Sequence, residues 1–129
     1  MVIDTSILVA VILKEEGYEE LVFKMAEAEA RYLSAANYLE ASVVLLRRRG
    51  EGVELDLDRL IYELEIVIIP VTAVHARIGR QAYLEYGKGM MHPAHLNLGD
   101  CFSYALSKQL GEPLLFKGDD FSKTDVSVA

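Results

Sequence analysis

The stretch Met1-Val2-Ile3-Asp4-Thr5-Ser6 decides the fold, because it places an acid directly after a short apolar run. That run is typical of a buried strand, and the following residues to Leu13 are apolar on most faces, as in a buried helix. In open α/β sheets, ligands bind at the carboxyl ends of the strands. Asp4 therefore stands where such a fold would build a site.

Strand-like and helical patterns alternate along the rest of the chain. Ser34 is predicted to cap a helix that runs to about Arg49, with Leu39, Val43 and Leu46 on its apolar face. Further strands are predicted at Ile66–Ile69, as a central parallel strand, at Pro113–Phe116 and at Val126–Val128. This alternation predicts an α/β fold of three layers, with a central, mainly parallel sheet flanked by helices, in a single domain over residues 1–129.

Composition and charge narrow the class of protein. The formal net charge is −7, which argues against tight, non-specific binding of nucleic acid but not against an enzyme whose carboxylates hold cations. The only cysteine is Cys101, and no apolar run is long enough to span a bilayer. With no recognisable signal peptide, we expect a cytoplasmic protein without a membrane segment.

Acidic residues at predicted strand ends and helix starts are the candidate site. Asp4 has a competing interpretation as the N-cap of the first helix. Glu40 lies on the helix after Ser34, and its alternative is an ordinary solvated acid or a partner of Arg47 or Arg48.

Two further acidic positions lie late in the chain. Asp100 falls in the first turn of a helix predicted from Gly99 to Leu110, where the helix dipole alone would favour an acid. The same helix carries Ser103, Tyr104 and Ser107 as a polar stripe that could line a cleft, and we expect Tyr104 near the site. Asp119 and Asp120 follow a strand and a glycine, where turn chemistry is the alternative.

Carboxylates that converge in this way suit a hard cation. Mg²⁺ and Mn²⁺ prefer oxygen ligands and are often held by one or two carboxylates with several waters. The chain lacks a glycine-rich phosphate loop and a Gly-x-Ser-x-Gly elbow, and its three histidines do not have zinc-site spacing.

Several motifs together resemble PIN domains, and most closely the VapC toxins of type II toxin–antitoxin modules. They are Ile3-Asp4-Thr5-Ser6, Glu40 on a downstream helix, Leu98-Gly99-Asp100-Cys101-Phe102, and the stretch from Leu114 to Phe121. The resemblance spans essentially the whole chain. Lys117 departs from it, since many members have threonine near the final strand.

The resemblance implies an endoribonuclease that depends on Mg²⁺, with Mn²⁺ as an alternative ion, and cleaves RNA phosphodiesters with a metal-activated water. Asp4, Glu40, Asp100 and Asp119 match the acidic positions, with Asp120 as the alternative fourth acid. Asp4 and Asp100 would hold the metal, and Ser6 matches a hydroxyl that supports the first acid. The implied partners are the RNA substrate, a cognate VapB-like antitoxin and a second copy of the chain in a homodimer.

Three other classes of protein compete with this interpretation. A catalytically inactive PIN-like binding protein would be expected to lack one or more of the acids. A phosphatase of the haloacid dehalogenase type needs a second aspartate two residues after the first, where Ser6 stands. A receiver domain would need a phosphoacceptor at a third strand end, which nothing marks.

The apolar composition also bears on the implied antitoxin. Exposed apolar surface that could bind the antitoxin is expected on the helices predicted at Tyr18–Ala30 and Val53–Leu64.

Overall fold

The computed structural model describes residues 1–129, which form four parallel strands and six α-helices. The strands are β1 (Val2–Ile3), β2 (Arg31–Ser34), β3 (Ile66–Ile69) and β4 (Leu114–Leu115). The helices are α1 (Thr5–Ile12), α2 (Tyr18–Glu27), α3 (Ala35–Arg49), α4 (Val53–Glu63), α5 (Ala73–Tyr86) and α6 (Leu98–Leu110), and a short 3₁₀ helix follows at Phe121–Lys123. The strand order is β3-β2-β1-β4, and every pairing is parallel.

The sheet is covered on both faces, as the packing of two neighbouring residues of β1 in different hydrophobic clusters shows. Ile3 packs in a cluster built mainly from α1 to α4, together with Leu33 and Leu115. Val2 packs in a second cluster, which includes Leu114 and residues of α5 and α6. Successive side chains of a strand point to opposite faces, so β1 is the middle of a three-layer fold. The predicted α/β architecture is confirmed.

The predicted place of Ile66–Ile69 in the sheet is wrong. This segment is β3, which pairs only with β2 and forms an edge of the sheet. Val67 and Ile68 are exposed, although a continuous β-branched run is typical of a buried strand. The predicted last strand, Val126–Val128, is reduced to a single bridge between Leu114 and Val128.

The predicted apolar face of α3 is also wrong. Leu39, Val43 and Leu46 are exposed, and Leu39 retains 64% of its accessible surface. The residues of α3 that are buried lie four apart, at Asn37, Ala41 and Leu45. Apolar residues occur on two sides of this helix, so periodicity alone could not distinguish the side that faces the core.

None of the helices combines the length and the apolarity needed to cross a membrane.

Candidate active site

Five acids, Glu15 among them, line one cavity at the carboxyl ends of β1 and β4. Because β1 and β4 are neighbouring parallel strands, the residues that follow them meet at the same edge of the sheet. The cavity has a volume of about 410 Å³. We call it the acidic cleft; its acids include Asp4, Glu40, Asp100 and Asp120, and Thr5, Ser6, Asn97 and Lys117 also line it.

Asp4 is buried, with 4% of its surface exposed, and both of its carboxylate oxygens accept hydrogen bonds. Oδ2 accepts from the backbone N–H of Ser6 at 3.0 Å, so Asp4 is the N-cap of α1. Oδ1 lies 2.5 Å from the hydroxyl oxygen of Ser103, which donates to it. No cationic side chain forms a salt bridge with Asp4. The N-cap interpretation therefore holds, and it leaves a buried carboxylate facing the cleft without a counter-charge.

Asp100 is fixed by a reciprocal capping box at the start of α6. The backbone N–H of Asn97 donates to Asp100 Oδ2 at 3.0 Å, and the backbone N–H of Asp100 donates to Asn97 Oδ1 at 2.9 Å. Burial raises the pKa of the Asp100 carboxyl from 3.8 to about 7; the Asn97 N–H opposes this shift, and the nearby charges of other cleft acids, Asp4 first, add to it. Burial, more than the charge of the neighbouring acids, therefore favours the protonated form of this carboxyl.

Glu40 faces α1 and α6 rather than the arginines at the end of its own helix. Its Oε1 accepts a hydrogen bond of 2.5 Å from the hydroxyl of Thr5. Gly99 lies directly against its carboxylate, and a Cβ at that position would overlap the Glu40 oxygens. The alternative of an ion pair with Arg47 or Arg48 is wrong, since neither forms a salt bridge.

Asn37 joins the supports of these acids and was not singled out from the sequence. It is fully buried on α3, one turn before Glu40. Its Nδ2 donates to Thr5 Oγ1 at 3.1 Å and to the Gly99 carbonyl at 3.0 Å, and its Oδ1 lies 3.1 Å from Ser103 Oγ. One amide therefore connects α1, α3 and α6 beneath the cleft. The available signal was an amide at a position that helical spacing from Ala41 and Leu45 places among buried residues.

The loop after β4 brings one of its two adjacent aspartates into the cleft. Asp120 lines the cavity, whereas Asp119 does not. Gly118 has a φ of +103° and turns the chain there, and the Asp119 carbonyl accepts a bond of 2.6 Å from the Ser122 hydroxyl. Of the two candidates for the fourth acid, Asp120 is therefore the one that borders the cleft, and the choice between them stays a prediction.

Ser6 and Lys117 link α1 to the same loop. The Ser6 hydroxyl oxygen accepts a hydrogen bond of 3.0 Å from the backbone N–H of Lys117. Ser6 thus supports Asp4 through its backbone, while its side chain holds the loop. The Lys117 ammonium lies 2.9 Å from Glu15 Oε1, and it is the only cation that lines the cleft.

Tyr104 lies away from this site, contrary to the expectation. It is buried in the second core, where its hydroxyl donates to Asp125 at 2.6 Å and its ring lies 6.0 Å from that of Tyr86. The polar stripe predicted on α6 divides accordingly: Ser103 faces the cleft acids, whereas Ser107 donates to the Glu112 carbonyl at 2.6 Å.

The donor set of the cleft fits a hard divalent cation. The side chains facing the cavity that could bind a metal would do so through oxygen, and five carboxylates face it with one lysine. No three histidine, cysteine or acidic side chains converge closely enough to form a ready-made metal cluster. The arrangement therefore suits an ion held by one or two carboxylates and completed by water.

Comparisons with known proteins agree over nearly the whole chain. A family model described as PIN domain matches residues 1–127. Ribonuclease VapC28 of Mycobacterium tuberculosis is 46% identical over 129 residues, which are 100% of this chain and 97% of that protein.

Two solved structures share the fold at 18% identity. VapC20 of Mycobacterium tuberculosis, described as a toxin that cleaves the sarcin–ricin loop, matches with a TM-score of 0.76 over 99% of this chain and 97% of that chain. A toxin–antitoxin complex from Klebsiella pneumoniae matches with a TM-score of 0.71 over 99% of this chain and 95% of that chain.

Proposed function

The chain belongs to the PIN-domain family, and from this premise we propose that it is a metal-dependent endoribonuclease, the toxin of a type II toxin–antitoxin pair. The observation that carries the proposal is the acidic cleft, where five carboxylates face one cavity with a single lysine among them. The 46% identity to a VapC ribonuclease over the full chain supports RNA as the substrate.

Asp4 and Asp100 are the proposed ligands of Mg²⁺, with Mn²⁺ as an alternative ion. Both are buried, and both have one oxygen fixed by a backbone N–H, which orients the carboxylate before an ion binds. When bound, the ion would activate a water for attack on the phosphodiester and offset charge on the phosphate.

The remaining cleft residues have distinct proposed roles. Glu40 and Asp120 would complete the acidic pocket, where each could accept a proton or hold a water. Thr5 fixes Glu40 through a bond of 2.5 Å, and Ser103 fixes Asp4 in the same way. These supports keep the acids in place despite their mutual repulsion, as pre-organised sites require.

Isosteric substitutions in the cleft test the proposal. Asp4→Asn and Asp100→Asn should each lower Mg²⁺-dependent cleavage of a labelled RNA by more than the roughly 10–100-fold that loss of an outer-shell partner costs. Isothermal titration with Mn²⁺ should show weakened binding in both variants. Full activity in either variant would reject its assignment.

Asp120→Asn and Asp119→Asn form a matched pair for the fourth acid. The first removes a carboxylate from the cleft, and the second removes its neighbour outside it. Cleavage should fall for Asp120→Asn and stay within about twofold of the parent for Asp119→Asn, as expected for a surface change. The reverse pattern would restore Asp119 as the fourth acid.

A cognate VapB-like antitoxin, a homodimer and a cytoplasmic location are part of the same proposal. The similarity to a toxin–antitoxin complex supports an antitoxin partner. Large apolar side chains are exposed on α2, α3 and α4, including Phe23, Leu39, Leu55 and Tyr62. Light scattering of the purified chain, alone and with the product of an adjacent reading frame, tests both associations. A monomer that does not bind that product would contradict them.

A further inference from the structure

A second concave surface lies beside the acidic cleft and carries charge of the opposite sign. It runs between α5 and α6, has a volume of about 580 Å³, and has no acidic residue in its lining. We call it the α5–α6 groove; the lining residues that matter here are Arg80, Tyr83, Lys88, Asn97, Leu98 and Phe102.

The two cations of the groove are free to meet an anion. Arg80 and Lys88 are exposed, and neither takes part in any of the three salt bridges of the structure. In a chain of net charge −7, this concavity differs from the acidic cleft in having two unpaired cations and no carboxylate in its lining. Such a surface favours phosphate groups.

An aromatic side chain of the groove, Tyr83, is held by contacts with two other residues. The Tyr83 hydroxyl donates to the Lys88 carbonyl at 2.6 Å. The Tyr83 ring also packs against Gly87, where an added Cβ would lie only 2.7 Å from two ring atoms. Tyr83 and half-buried Phe102 therefore supply aromatic groups of the kind on which nucleobases stack.

The groove is continuous with the acidic cleft through one residue. Asn97 lines both cavities, and its side chain forms the capping box with Asp100. Leu98 follows it in the groove, with 72% of its surface exposed. A nucleic acid strand with a phosphate at the cleft could thus continue past Asn97 between the two helices.

We propose that the α5–α6 groove binds the single-stranded RNA that flanks the cleaved phosphodiester. Arg80 and Lys88 contact its phosphates, and Tyr83 and Phe102 stack on its bases. The proposal rests on the proposed ribonuclease function and adds the path of the substrate. It also explains how a strongly acidic chain would hold RNA, since the cations lie beside the acids rather than over the whole surface.

Binding without cleavage is the first test. A fluorescein-labelled, mixed-sequence RNA of 12 nucleotides is titrated in EDTA with Arg80→Gln/Lys88→Gln, followed by fluorescence anisotropy. We expect at least a tenfold rise in Kd, and a salt slope smaller by about 1.4, since each single-strand phosphate contact contributes about 0.7. The control is Lys24→Gln/Arg59→Gln, with the same change of charge on α2 and α4, and it should change Kd less than twofold. Equal behaviour of the two double variants would overturn the proposal.

A second variant and photocrosslinking of the bound RNA keep the test valid if the double variant misfolds. Ala76→Glu places a carboxylate in the groove at an exposed position without removing a cation, and it should also weaken RNA binding at least tenfold. RNA containing 5-bromouridine should photocrosslink to the peptides that carry Tyr83 or Phe102. Crosslinks confined to Arg47–Arg49, the exposed basic segment at the end of α3, would overturn the proposal.

Cleavage kinetics separate this inference from the function on which it rests. With Mg²⁺, the groove variants should raise KM for the 12-nucleotide RNA at least tenfold with kcat within twofold of the parent. If the parent cleaves RNA and the groove variants match it, the groove inference fails alone. If the parent cleaves no RNA but crosslinks through Tyr83, the proposed function fails and the groove still binds RNA.

Discussion

The acidic cleft and the α5–α6 groove share Asn97 but are built in opposite ways. In the cleft the charged groups Asp4 and Asp100 are buried and fixed by hydrogen bonds from several elements. In the groove the charged groups Arg80 and Lys88 are exposed and form no salt bridge. The RNA cleavage proposed for the cleft needs carboxylates held in fixed positions around one phosphorus atom. Contact with a flexible RNA strand in the groove needs only positive charge and aromatic surface. Substitutions in the cleft should therefore alter stability and activity together, and those in the groove should alter binding alone.

Removal of the Asn37 side chain should have the largest effect on stability, because its amide joins the residues that support the cleft acids. Asn37→Ala should lower the free energy of unfolding by about 2–4 kcal/mol, since unsatisfied partners cost about 1–3 kcal/mol and the cavity adds to this. Urea denaturation measures the change. Tyr38→Phe, which removes only an exposed contact to Asp58, is the neighbouring control and should cost less than about 1 kcal/mol. A loss no larger than that of the control would show that the network does not support the cleft.

Gly99→Ala should have the next largest effect, through a clash with Glu40. Overpacking of this kind costs about 1–3 kcal/mol, and the displaced carboxylate should lower cleavage at least tenfold. A double-mutant cycle with Glu40→Ala isolates the cause, because the alanine at position 99 should cost little once the carboxylate is gone. Additive losses of stability in the double variant would reject the contact.

The pH dependence of stability should report the burial of the Asp100 carboxyl, with a smaller contribution from the neighbouring acids. The raised pKa of Asp100, about 7, means that between about pH 4 and 7 the folded protein keeps a proton that the unfolded chain has lost. The free energy of unfolding should then fall as pH rises through this window. In EDTA, Asp100→Asn should remove this decline and be more stable than the parent at pH 8 by on the order of 2 kcal/mol. Urea denaturation at pH 5 and pH 8 measures this, and Asp119→Asn should keep the parent's decline; a parental slope in Asp100→Asn would contradict the assignment.

Substitution of the groove cations should have the smallest effect on stability, unlike the substitutions in the cleft. Arg80→Gln/Lys88→Gln removes exposed cations without partners, so its free energy of unfolding should stay within about 0.5 kcal/mol of the parent. The same urea measurement checks this. A loss comparable to that of Gly99→Ala would mean that the groove is part of the folded framework.

Local pattern sufficed for the features that depend on near neighbours in the chain. The apolar run before Asp4 predicted β1 and the acid at its end, and Ser34 predicted the start of α3. The parallel, two-sided sheet also followed from the alternation of strands and helices. Cap chemistry and hydrophobic periodicity act over a few residues, so one sequence displays them directly.

Only the tertiary structure decided the features that depend on which distant segments pack against a strand, helix or loop. It placed β3 at an edge, turned Leu39 outward, and brought Asp120 rather than Asp119 into the cleft. It also placed Asn37 between Thr5, Gly99 and Ser103, residues up to 98 positions apart in the chain, a separation at which no local pattern operates. The sequence by itself thus determined which acids the chain carries and whether each follows a strand or lies on a helix. The packing of α1, α3 and α6 determined which acids meet, because their meeting depends on contacts among helices that are distant in sequence.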